Sequence, residues 1–288
     1  MQATETIKVS AVDGRRRRIP LGQVAAHSLF IVWSCVAVMP FVWMIFASLK
    51  PFRELVSSHN LLPHTWTLQN YQEIISRVGF LAAFRNSLVV STLTTTAVVL
   101  TSAALGFIFA KYRFWGKEPL FMVLLSTMMV PGAVVLVPLY ITIANLGSAN
   151  QLAGIIITGL WSTFGIFMLR QFMESLPSEL IDAARIDGAS EWRIFFTLII
   201  PLSAAPMGAL ATFSFLGSWD SLLWPMIVLS APDKQTLPIV LAGLRNLYWS
   251  RYDMWAAGSM LTVLPVMILY AFSSRYMLRG VAMSGMKL

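Results

Sequence analysis

The sequence predicts an all-α polytopic membrane protein with six transmembrane helices, and three observations predict it. The chain has 288 residues, of which 57% are hydrophobic and only 12% charged, with a mean hydropathy of +0.71. A soluble domain of this length needs far more charge to cover its surface. Several apolar runs reach the ~20 residues that cross a bilayer core as helix. The Lys and Arg residues between those runs are distributed unequally, as the loops of membrane proteins are. That asymmetry, rather than nucleic-acid binding, accounts for the net charge of +8.

The six spans fall at about 24–49, 84–110, 120–143, 152–169, 202–229 and 254–276. Before the first lies a basic segment, 1–23, with Arg15 to Arg18. The apolar run after it is too long for a signal-peptide core and has no small-x-small cleavage site. It reads as an uncleaved span behind a basic anchor. With the N-terminus on the cytoplasmic side, that side carries fourteen Lys and Arg against seven outside, so both termini are expected inside. The single cysteine, Cys35, lies in the first span and reads as a small buried hydrophobe.

Two outer segments are long enough to hold structure. In 51–83, Thr67 is placed to cap a short helix through Ile75. In and just after 230–253, Tyr248, Trp249, Tyr252 and Trp255 read as interfacial anchors or as contacts for a solute or a partner protein. The second span carries Ser102, Gly106 and Ala110 at four-residue spacing, which lets another helix approach closely. The third span contains Pro131, Gly132 and Pro138. Proline removes a helix hydrogen bond, so Pro131–Gly132 kinks or opens the helix and is a candidate for lining a path. The fifth span carries an acid, Asp220, beside Trp219. An acid at that depth is costly unless paired or wet, so these two are also path candidates.

The cytoplasmic loop 177–201 reads as two short helices with a corner at Gly188. Pro177 suits a helix start, and Glu179 favours its positive end. Ala183 and Ala184 leave a shallow face. Gly188 takes a positive φ, and Ser190 caps the next helix. Trp192, Phe195, Phe196 and Ile199 then recur at i, i+3, i+4, i+7, predicting one bulky apolar stripe.

This loop resembles the EAA loop of ABC importer permeases. Asp182-Ala183-Ala184 and Asp187-Gly188-Ala189 carry the likeness, with Asp182 where the family usually has Glu. Ser48-Leu49-Lys50, Trp66 to Tyr71, Asn86-Ser87, the 110–117 segment, Leu169-Arg170-Gln171-Phe172 and the 280–287 tail extend it in order. Together they are similar to carbohydrate permeases of the maltose-transporter type. Asp220 departs from them, since most members have Asn there.

The resemblance implies a type I ABC importer permease fold, with 24–288 as the transmembrane domain and 177–201 as its coupling loop. Glu179, Asp182, Ala183, Ala184, Asp187, Gly188, Ala189, Trp192, Phe195 and Phe196 would then seat in a groove of an ATPase subunit. The implied partners are a sister permease, two ATPase subunits, an extracytoplasmic solute-binding protein and membrane lipid, in a bacterial inner membrane. In that family the loop matching 230–253 reaches toward the binding protein. The solute class stays open among sugars, glycosides, polyols and glycerol-phosphate compounds.

Two other classes find less support. A membrane enzyme needs groups such as His-Glu-x-x-His, a Gly-x-Ser-x-Gly nucleophile or paired aspartates, and none occurs. A stand-alone transporter couples through intramembrane charges, and Asp220 is the clear one. The chain also has no Gly-x-x-x-x-Gly-Lys-[Ser/Thr], so ATP and Mg are expected on partner ATPase subunits and no cofactor on this chain.

Overall fold

The computed structural model describes residues 21–58, 60–77, 79–247 and 251–284. These residues are largely helical and contain no strand. The chain divides into two compact units, 1–44 and 45–288.

All of the first unit's described part belongs to α1 (Leu21–Ser48), which is apolar on every face and whose last residues fall in the second unit. Its 27-residue stretch from Gly22 has mean hydropathy 2.3, and its most apolar 18-residue window buries nothing within the chain. At ~1.5 Å per residue it is roughly 40 Å long, enough to cross a bilayer. Cys35, expected to be buried, is exposed on α1, because no other described element of its unit covers that helix.

The second unit starts with α2 (Phe52–Ser57) and α3 (Gln69–Arg77). Thr67 Oγ1 accepts from the Gln69 N–H, fixing the start of α3. Helix α4 (Phe80–Lys111) is one unbroken rod of 32 residues. Then come α5 (Lys117–Ser126) and α6 (Gly132–Asn145), with a 103° bend between them at Val130–Pro131. Helices α7 (Leu152–Thr158) and α8 (Thr163–Glu174) are bent by 40°. Next are α9 (Ser178–Ile186), α10 (Glu191–Ile194), a π-turn at Phe195–Ile199 and α11 (Ile200–Leu202). A 78° bend at Ser203 leads into α12 (Ala204–Trp219), followed by α13 (Leu223–Val228), α14 (Leu237–Leu247) and α15 (Tyr252–Ser284). Among the described residues, three helices are long and apolar enough to cross a membrane, and three bent pairs raise that number to six if each is one span.

The third span breaks where Pro131 cannot donate a helix hydrogen bond. The fourth and fifth were expected unbroken and are not. Gly159 to Ser162 interrupts the fourth, and Ser162 Oγ accepts the Gly165 N–H to start α8 afresh. Asp220 to Leu222 interrupts the fifth, just before Pro225 in α13.

Two buried clusters lie at opposite ends of α4. One joins Phe107 of α4 to Leu169 and Met173 of α8, Ile181 of α9, Ile194, Phe195, Ile199 and Leu210. The other joins Phe80 to Ile74 of α3, Trp219 of α12, Leu237 and Leu244 of α14, and Met254 of α15. Within the stretch of α4 that carries the first cluster, Ser102 and Gly106 face α8. A Cβ on Gly106 would come within 3.1 Å of the Leu169 Cβ and the Arg170 nitrogen, so this stripe does bring two helices together.

Candidate functional site

The corner between α9 and α10 is built by local rules. The Gly188 N–H donates to the Arg185 carbonyl and the Ala189 N–H to the Ala184 carbonyl, both at 3.0 Å. These bonds close α9 while Gly188 adopts φ +79°. Ser190 Oγ accepts from the Arg193 N–H at 3.3 Å and opens α10.

The expected single stripe is in fact two faces. Ile194, Phe195 and Ile199 are turned inward and fully packed, with Phe195 stacked 5.9 Å from Phe107. Trp192 and Phe196 point away, 73% and 54% exposed, and stack on one another at 6.2 Å. Phe195 is therefore a root of the corner and not part of its outer face. The cause is the π-turn, whose wider i→i+5 bonding rotates side chains off the 3.6-residue register. Leu180 and Ile186 are exposed on α9 as well.

The corner is braced by a cluster that sequence spacing did not reveal. The Arg185 guanidinium donates to Glu191 at 2.8 and 3.3 Å across the Gly188 turn, and to Asp182 at 3.3 Å. The Tyr112 hydroxyl, just past the end of α4, also donates to Glu191. Burial, with the Glu191 bond behind it, lifts the Tyr112 phenol above its ordinary value, so it keeps its proton and donates at neutral pH. The paired carboxylate holds Arg185 more firmly charged still. Arg185 and Glu191 are six residues apart and flank a glycine, a signal open to reading. Tyr112 lies 79 residues from Glu191 and carried none.

Of the remaining corner residues, Glu179, Asp182, Ala183 and Asp187 are exposed, while Ala184 and Ala189 are half-buried against the packed side. The candidate path residues are not gathered in one place. Trp219 is 1% exposed, because its indole N–H donates to the Thr262 carbonyl and its ring sits against Phe84 and Phe215. It belongs to the subunit's own core. Asp220 is exposed at the α12–α13 break, and Pro131 and Gly132 are exposed at the α5–α6 bend.

The other motif residues are scaffold. Asn70 Nδ2 donates to the carbonyls of Ser48 and Lys50 at 2.9 and 2.8 Å, and the Ser48 and Tyr71 hydroxyls meet at 2.7 Å. Asn86 Nδ2 donates to the Asp233 and Gln235 carbonyls, and Ser87 Oγ accepts the Leu237 N–H. Arg170 pairs with Glu118 at 3.3 Å while lying 3.9 Å over the Phe121 ring, tying α5 to α8.

With this geometry in view, the comparisons agree with one another. The model of a family described as binding-protein-dependent transport system inner membrane component matches residues 102–281. The arabinooligosaccharides transport system permease protein AraQ of Halalkalibacterium halodurans is 36% identical, covering 88% of this chain and 92% of the relative. The diacetylchitobiose uptake system permease protein NgcG of Streptomyces coelicolor is 32% identical over 87% of this chain and 84% of its own. A crystal structure of a bacterial ABC transporter involved in importing the acidic polysaccharide alginate contains a chain of the same fold. That chain matches with TM-score 0.78 and 20% identity, over 89% of this chain and 96% of its own.

Proposed function

We propose, because the chain belongs to the binding-protein-dependent transport system inner membrane components, that the solute it passes is a sugar or short oligosaccharide and that the Gly188 corner is its contact with an ATPase subunit. Members of this family are permease subunits of ABC importers, multi-pass membrane proteins and not enzymes. The sugar reading is supported by relatives named for arabinooligosaccharides and diacetylchitobiose.

The observation that carries the coupling reading is the division of the apolar residues at the corner. Ile194, Phe195 and Ile199 already satisfy the bundle, so the stacked Trp192–Phe196 pair, touching it only where Phe196 meets the edge of Phe195 at 5.1 Å, is left facing outward. Exposed apolar groups of this size on a braced, polar-rimmed element fit a protein partner. The brace makes the corner stiff, so a push on Trp192 and Phe196 reaches α4 and α8 through Phe107 and Leu169. ATP and Mg sit on the partner. ATP-driven closure of an ATPase pair would rock this subunit against a sister permease, a rigid-body form of alternating access. A solute-binding protein delivers the sugar from outside, and the basic-residue asymmetry supports cytoplasmic termini.

The test is co-purification of the whole importer from membranes. Trp192→Ala with Phe196→Ala should leave the chain inserted and paired with its sister permease while ATPase retention and sugar uptake fall about tenfold or more. Wild-type retention and uptake in that double variant would refute the coupling role.

A further inference from the structure

The second unit contains a cleft of about 250 Å³ where two helix breaks meet the middle of α4. One wall is the Gly159–Ser162 break between α7 and α8, and another is the Asp220–Leu222 break between α12 and α13. Thr94, Thr158, Trp161, Ser214, Ser218 and Ser221 line it, and Trp224 closes one side. Broken backbone at membrane depth is tolerated where protein or a water-filled cavity meets its free polar groups.

Of the hydroxyls in this wall, Thr158 donates to the Ile155 carbonyl at 2.8 Å, while four others are left without a partner among the described residues. Thr96 and Thr212 donate to the carbonyl four residues back, at 2.8 and 2.9 Å, which is how a membrane helix normally quiets a hydroxyl. Ser214, Ser218 and Ser221, half-buried in the lining, make no side-chain hydrogen bond among the described residues, and Thr94 Oγ1 is buried without a partner. The indole N–H of Trp224 donates to Thr158 Oγ1 at 2.9 Å, which fixes that ring in the wall. Trp161 stands 71% exposed at the rim. The lining carries no charged side chain, and Asp220, between two lining serines in sequence, would repel an anion.

Unpaired hydroxyls sharing one lining with two tryptophans, and no charged side chain among them, match an uncharged polyhydroxyl ring. Its hydroxyls take the hydrogen bonds while its C–H face lies on indole. We infer that this cleft is the chain's own contact surface for one neutral sugar ring of the solute, an inference that rests on the sugar-importer reading above. It excludes glycerol-phosphate compounds from this site, since nothing in the lining offsets a phosphate.

The competing occupant is a side chain of the sister permease, and cysteine protection separates the two. The complete importer is reconstituted in proteoliposomes with Cys35→Ser as background, carrying Ser218→Cys or Ser221→Cys, or Ser126→Cys as a control away from the cleft. A small methanethiosulfonate reagent is added with the binding protein and either arabinotriose or diacetylchitobiose. Labelling at 218 and 221 should slow about tenfold with whichever sugar the wild type imports, and labelling at 126 should not change. Ser218→Leu should cut maximal uptake by about tenfold or more while ATPase retention is kept. If 218 and 221 never label, or label equally fast with the imported sugar, the cleft is plugged or bypassed and the site is refuted while sugar import stands. If the wild type accumulates neither of these nor any other mono- or oligosaccharide of a panel, the solute reading fails first and this site with it.

Discussion

Phe195 and Phe196 are adjacent in sequence yet opposite in role, and that contrast separates folding from coupling. Phe195 is 6% exposed in the cluster around Phe107, whereas Phe196 is 54% exposed beside Trp192. Truncating a packed Phe to Ala typically costs about 3–5 kcal/mol. Phe195→Ala should therefore lower the melting temperature of the purified chain, while Phe196→Ala should leave it nearly unchanged and still depress uptake. Equal melting temperatures for the two variants would contradict the two-faced corner. Gly188 can be tested beside them. A Cβ there meets nothing within 4 Å, so Gly188→Ala is resisted only by its φ of +79°, a cost of about 1 kcal/mol. The corner's glycine, its Ser190 cap and its apolar residues were all legible from sequence. The division between faces was not, because a π-turn leaves no periodicity of its own and Tyr112 joins the brace from a distant part of the chain.

At the scale of elements, apolar run length identified the spans, while the physics of single polar residues decided where they break. The Pro131 break was legible because proline's missing donor is a property of one residue. The breaks at Gly159–Ser162 and Asp220–Leu222 were not, since Gly, Ser and Asp also occur inside helices that continue. The same reasoning divides the glycines. A Cβ on Gly165 would fall 2.5 Å from Ser102 Oγ and 3.0 Å from Leu210, so Gly165→Ala should force α8 away from α4 and α12 and destabilise by about 1–3 kcal/mol. Gly132 has open space and an ordinary φ, so Gly132→Ala should be neutral or slightly stabilising. Thermal melts of both variants in one detergent check this. A destabilised Gly132→Ala would mean that the α5–α6 bend needs glycine and not only proline.

For the whole second unit, the continuous element is α4, and it touches everything the proposed mechanism must connect. Phe107 at one end lies in the corner cluster, Thr94 near the middle lines the cleft, and Phe80 at the other end lies in the cluster with Trp219 and α14. Helix α14 is docked through Leu237, Val240 and Leu244, so that part of the outer segment is anchored in the cluster; Tyr248 and Trp249 lie outside the described residues. A rigid rod of roughly 48 Å can carry a displacement from corner to α14, whereas a jointed one dissipates it. Thr96 and Leu100 are exposed on one face of α4, so replacing both with glycine removes little packing and costs mainly helix propensity, about 1 kcal/mol each. The double variant should insert, keep the ATPase and hydrolyse ATP at the basal rate. Stimulation by sugar-loaded binding protein should disappear, and uptake with it. Full stimulation and normal uptake would show that the signal between the two ends travels by another route, with α12 the remaining element shared by both clusters.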